Sequence, residues 1–256
     1  FRCCGLLSLQ KNAVLFARLQ VNINELHAAN RVFPIRSLAV RKPCACHNTS
    51  GGPTPADPPF SIPAPSSGTA TPTVSWWEPF SRRCAGIYRV ERNLYKNVYG
   101  NKLVFEEINH DLDMTYRYAW RTSEKYGFVK TAWLRNRSTN RCSVNLADGL
   151  LNLLPYGATT ALQSSFSNLL NAYKRNELEP ETGVGIFALS STLTDLAEPS
   201  ESLKATTAWH IGFEHARVLL STRQLENLRR GLAVTQETDV RGHRGAYLVN
   251  AEFGLA

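Results

Sequence analysis

Met114-Thr115-Tyr116-Arg117-Tyr118-Ala119-Trp120 decides the fold class of this chain. Met114, Tyr116, Tyr118 and Trp120 alternate with Thr115, Arg117 and Ala119. Side chains of an extended strand point to opposite faces at successive positions, so this period of two predicts a strand with one apolar face. The aromatic content agrees with the residue preferences of half-buried strands.

Working outward, the same signature recurs. Strand-like patterning begins at Ile87, and Lys102–Ile108 is a short β-rich run. Phe128–Leu134 and Cys142–Leu146 follow, with the polar turn 136–140 between them, and predict an antiparallel hairpin. Trp133 has the opposite parity to Phe128, Lys130, Ala132 and Leu134, which places it on the more exposed strand face. Further strands are expected at Gly183–Leu189, Leu203–Phe213, Ala216–Leu220 and Ala246–Phe253. In the last, Tyr247, Val249, Ala251 and Phe253 alternate with Ala246, Leu248, Asn250 and Glu252.

Two segments depart from this period. Leu162, Phe166, Leu169, Leu170 and Tyr173 follow the stripe of an amphipathic helix. Ser221 or Thr222 is placed to cap a short helix carrying Leu225 and Leu228 and closed by Gly231. Seven or eight strands with one or two helical insertions predict a mainly β fold: an antiparallel, supersandwich-like β-sandwich over residues 76–256. Hydrophobic residues at 43% of 256 suffice for a sizeable core.

The N-terminal part reads differently. Between residues 1 and 56 seven basic residues face the single acid Glu25, which accounts for +6 of the net +8. The excess therefore sits on a segment expected to be a disordered tail (1–42), and a nucleic-acid partner is not expected. Its Arg-containing, acid-poor composition matches a transit segment equally well. Residues 43–75 are a Pro/Gly/Ser-rich linker, unable to bury enough apolar surface to offset chain entropy. No apolar run reaches the length of a membrane-spanning helix. A start at Phe1 and a strand near Ala256 predict a piece of a larger protein, incomplete at its C-terminus.

Six cysteines are present. Cys44-Ala-Cys46-His47 lacks the spacing and second pair of a zinc site, because Cys3-Cys4 are adjacent. Cys84 and Cys142 are buried or paired. No metal or cofactor is expected: the chain has no Gly-x-Ser-x-Gly elbow, no phosphate loop, no dinucleotide fingerprint and no His-Glu-x-x-His. His210 and His215 lack a third ligand. Gly183-Val-Gly185 is too short to be a motif.

Two acidic clusters remain. Glu106-Glu107, His110, Asp111 and Asp113 surround an expected turn, and adjacent strand residues such as Glu106 and Glu107 point to opposite faces, so they cannot share one substrate. Asp195, Glu198 and Glu201 lie in a Pro-containing loop, the kind of segment that carries binding residues. Trp120, Trp133 and Trp209, with Tyr116 and Tyr118, are either core residues or a stacking platform for sugar rings.

Several stretches together carry a resemblance. They are 88–97 (YRVERNLYKN), 100–112 (GNKLVFEEINHDL), 126–131 (YGFVKT), 134–138 (LRNRS) and 148–155 (DGLLNLLP). Over about residues 76–256 the chain resembles the N-terminal region of large bacterial proteins labelled cellobiose-phosphorylase-like. It is similar to the β-sandwich that precedes the catalytic barrel in glycoside phosphorylases and inverting glycosidases. The resemblance implies a non-catalytic sandwich, a catalytic domain outside this chain, a carbohydrate partner and a cytoplasmic location, or an organellar one if the N-terminus is genuine. No catalytic residue is carried over, since in that class the acid lies in the barrel. The alternative is a free-standing carbohydrate-binding or protein-interaction module. A third reading, a complete enzyme, requires two of Glu106, Asp195, Glu198 and Glu201 to stand about 5–10 Å apart.

Overall fold

The computed structural model describes residues 11–18, 36–42, 73–99, 102–123, 126–191, 204–213 and 215–255. Among them the strands are β1 (Lys11–Arg18), β2 (Arg36–Lys42), β3 (Thr73–Trp77), β4 (Val90–Lys96), β5 (Lys102–Asn109), β6 (Met114–Ser123) and β7 (Gly127–Asn136). They continue with β8 (Cys142–Leu153), β9 (Lys174–Glu179), β10 (Val184–Leu189), β11 (Thr206–Ile211), β12 (Arg217–Leu219), β13 (Asp239–Arg241) and β14 (Gly245–Leu255). Three short helices interrupt them: α1 (Thr160–Ser165), α2 (Ser167–Ala172) and α3 (Leu225–Arg229).

The fold is mainly β, as its sequence predicts. One sheet has the order β13-β9-β10-β11-β1-β7-β6-β5-β4, the other β12-β14-β8-β2-β3, and all pairings are antiparallel. Met114, Tyr116 and Tyr118 project from β6 into a core shared with Val144, Leu146, Ala251 and Phe253 of the facing sheet. A second cluster continues the same interior through Leu150, Phe187, Ala208 and Tyr247. The helix α3 covers the other face of the smaller sheet, where Leu225 and Leu228 meet Ala147, Leu219 and Leu248. Both alternating sets of β14 are therefore buried, apart from Glu252 and Gly254 near its end. A break in register opposite Gly245/Ala246 skips Asn152, whose φ is 56°. This bulge turns both Leu150 and Leu153 into the interior.

Four local expectations are corrected. The polar turn 136–140 does not close a hairpin, because β7 pairs with β6 and β1 whereas β8 pairs with β14 and β2. It is the corner at which the chain changes sheet. Each of these strands carries an apolar face, and opposing layers bury both where a flat hairpin would bury neither. The amphipathic stripe from Leu162 to Tyr173 is broken at Phe166 (φ −131°, ψ 44°) into α1 and α2. Ser164, Ser165 and Ser167 are weak helix formers around that break, and only Leu170 of the two helices is buried. Ser221 does not cap α3; its hydroxyl donates to Glu237 and accepts from the Arg223 N–H. Finally, Glu106 and Glu107 lie within β5 and are buried, and the turn proper is His110–Asp113.

Two runs inside the span read as a tail, 11–18 and 36–42, are strands that pair on both sides. β9 and β13 carry few apolar residues and have no sequence signature of their own. Among the described residues no helix is long and apolar enough to cross a membrane.

Candidate functional site

The register of the larger sheet sorts the tryptophans. Trp120 pairs with Lys130 and packs against both interior clusters, so it is a core side chain. Trp133 pairs with Arg117 on the opposite, outer face. Registry through β1 puts Trp209 on that outer face too. Both are half-buried, and Tyr126 meets Trp209 edge-on at 6.2 Å between centroids. Asp195, Glu198 and Glu201 lie outside the described residues.

A polar row crosses the same outer face. Asn93, Glu106, Arg117 and Trp133 are successive partners across β4, β5, β6 and β7. The Glu106 side chain is nearly inaccessible, whereas Arg117 is half exposed. Arg117 Nε donates to Glu106 Oε2, and Asn93 Nδ2 and Tyr95 Oη donate to Oε1 at 3.2 and 3.0 Å. Burial pushes the Glu106 carboxyl upward, but these three donors together outweigh it and hold its pKa below the usual value. Glu106 is thus a fixed carboxylate that orients Arg117, with Trp133 beside it.

Glu107 takes the inner face. It accepts from Trp77 Nε1 at 2.8 Å, the Phe80 N–H at 2.7 Å and Arg92 Nε at 2.7 Å. Asp111 accepts two bonds from Arg89. The acidic cluster read from the sequence is therefore dispersed over two faces and a turn.

Other polar groups were hidden from sequence reasoning. Between the sheets, Lys130 Nζ donates to Asp148 Oδ1, while Tyr116 Oη donates to Oδ2 at 3.0 Å and the Gly149 N–H to Oδ1 at 2.9 Å. The one visible signal was a lysine at an inward parity position in β7. Glu237 binds the Leu220 and Ser221 N–H groups, both at 2.8 Å, with Ser221 Oγ and Gln224 Nε2 at 3.0 Å. Cys84 and Cys142 are buried free thiols. Among the described residues no group of three or more His, Cys, Asp or Glu side chains converges to hold a metal ion.

At the β10 end of the interior, Tyr247 Oη stands 2.6 Å from the Gly183 carbonyl and 2.8 Å from His210 Nδ1. A carbonyl only accepts, so the phenolic proton goes to Gly183 and His210 Nδ1–H must donate to the tyrosine oxygen. His210 Nε2 is left as the acceptor nitrogen. Gly183 and Gly185 make this arrangement fit: Gly183 has φ +69°, and a Cβ on Gly185 would sit 2.7 Å from the Tyr247 ring.

No protein-family model and no curated protein matches the chain. The site therefore rests on its own geometry.

Proposed function

We propose that this chain supplies a non-catalytic β-sandwich to a carbohydrate-active protein of the glycoside phosphorylase or glycosidase type. In this reading the catalytic domain lies outside the chain. The observation that carries it is the in-register row Asn93, Glu106, Arg117 and Trp133 on the outer face, with Trp209 on the same face. Sugars need both halves of such a surface. Their C–H faces pack on aromatic rings, and their hydroxyls pair with planar amide, guanidinium and carboxylate groups. The motif series from Tyr88 to Pro155 and the two-layer antiparallel architecture support the same reading.

The buried carboxylates weigh against acid–base catalysis by the sandwich. Glu106, Glu107, Asp148 and Glu237 each receive three or four donors that hold them in place. A general acid must instead be free to give its proton to a leaving group. The second reading, a free-standing carbohydrate-binding module, is favoured by the shared face of Trp133 and Trp209.

Glycan-array binding by the chain, with assays of sugar release and phosphorolysis, tests both. The expected result is binding without turnover, weakened about tenfold or more by Trp133→Ala or Arg117→Ala, a factor worth about 1.4 kcal/mol. Turnover would overturn the non-catalytic reading, and binding untouched by either substitution would remove the outer face as the site.

A further inference from the structure

Lys174 is a cation inside the protein with no anion beside it among the described residues. It opens β9 on the inner face and is 2% exposed. Nζ donates to two neutral oxygens, Gln163 Oε1 of α1 and Asn171 Oδ1 of α2, the latter at 3.0 Å. Among the described residues no carboxylate reaches it. An ammonium group has three donors, so one remains. Gln163 Nε2, buried and without a partner, belongs to the amide that binds Lys174 and so lies next to the amine.

A basic turn lies against the same strand. The Gly242 N–H donates to the Lys174 carbonyl at 3.0 Å, and Asn176 Nδ2 donates to the His243 carbonyl at 3.3 Å, which fixes residues 242–244 against β9. Arg241 and Arg175 are neutralised by Asp239 and Glu177. Among the described residues His243 and Arg244 have no acidic partner, and both are exposed. Burial, and then the positive charge of Arg244, bring the Lys174 pKa down to about 8.

The unclaimed groups of Lys174 Nζ and Gln163 Nε2 are both donors. An oxyanion oxygen accepts from both and brings a negative charge that no described carboxylate supplies. We propose that Lys174 and Gln163 form a binding site for a small oxyanion, a phosphate or carboxylate group, at the α1–α2 insertion, with the charge of Arg244 on the turn joining β13 to β14 adding to its attraction for an anion. The site is separate from the outer-face row and does not depend on the carbohydrate reading.

Thermal unfolding of the chain at pH 7 in inorganic phosphate, in acetate and in chloride of matched ionic strength tests the site. Phosphate or acetate is expected to raise the midpoint by about 2–4 °C over chloride, and whichever acts identifies the source of the oxyanion. Gln163→Glu places a carboxylate against Lys174, so this variant should melt higher than wild type in chloride and lose the anion response. Arg244→Ala, at an exposed position that leaves the fold intact, should cut the response severalfold. No anion response in the wild type would overturn the proposal. So would an undiminished response in both variants.

Discussion

Lys130 of β7 and Asp148 of β8 form an ion pair across the two sheets in which both side chains are almost inaccessible, at 0% and 2%. The pair joins the two layers alongside the Trp77–Glu107 and His210–Tyr247 hydrogen bonds, and Tyr116 and the Gly149 N–H also donate to its carboxylate. Such a pair contributes little over a well-packed apolar replacement, but breaking it leaves a buried charge. Lys130→Met should therefore cost about 3–5 kcal/mol, while Lys130→Met with Asp148→Leu recovers most of that loss. Urea unfolding of the wild type, both single variants and the double variant measures the coupling. Equal losses in the single and double variants would contradict it.

His210 gives the chain an acid-sensitive interior. Burial lowers its folded pKa below the ordinary imidazole value of about 6.5. The folded state therefore resists protonation where the unfolded state accepts it. This contribution to stability is fully present above about pH 6.5 and is lost as pH falls toward the folded value. The melting temperature should fall between pH 7.5 and 5.5, and His210→Gln should flatten that part of the profile. An unchanged slope in the variant would assign the effect to other groups.

Gly149 and Gly254 predict opposite responses to the same added methyl group. A Cβ on Gly149 would stand 2.1 Å from the Tyr247 carbonyl oxygen and 2.7 Å from Leu248 Cα, both backbone atoms that cannot swing away. Gly149→Ala should destabilise by about 1–3 kcal/mol or more. Gly254→Ala, with nothing within 4 Å of the new atom, should be close to neutral. Chemical denaturation of the two variants checks the contrast.

Cys84 and Cys142 should resist alkylation in the native chain. Burial raises the Cys84 thiol pKa, and only the thiolate reacts. Iodoacetamide at pH 8 should leave both sites unmodified until denaturant is added, as read site by site by mass spectrometry. Native labelling at either position would show that the interior opens locally.

The period of two in Met114–Trp120 settled its own strand and its inward face, because alternation is a property of the extended backbone and needs no partner. The same parity foretold that Trp133 would oppose Lys130. It did not show that Trp209 shares the outer face with Trp133, since that register runs through β1. Lys130 at an inward position hinted at a buried pair, yet Asp148 lies 18 residues further along and in the other sheet. The strand β9 was missed because it buries Lys174 and Asn176 where the strand pattern leads one to expect apolar side chains.

The sequence by itself determined the mainly β class, the antiparallel sandwich and most of the strands, because local backbone geometry and apolar periodicity are written residue by residue. Only the tertiary structure decided which strands are neighbours. It alone sent β7 and β8 to different sheets, brought Asn93, Glu106, Arg117 and Trp133 into one row, and buried Lys174 against the amide oxygens of Gln163 and Asn171. The physical reason is that a charge or an aromatic ring takes its role from what surrounds it. Those surroundings come from strands distant along the chain, whose register is fixed only when both sheets bury their inner faces together.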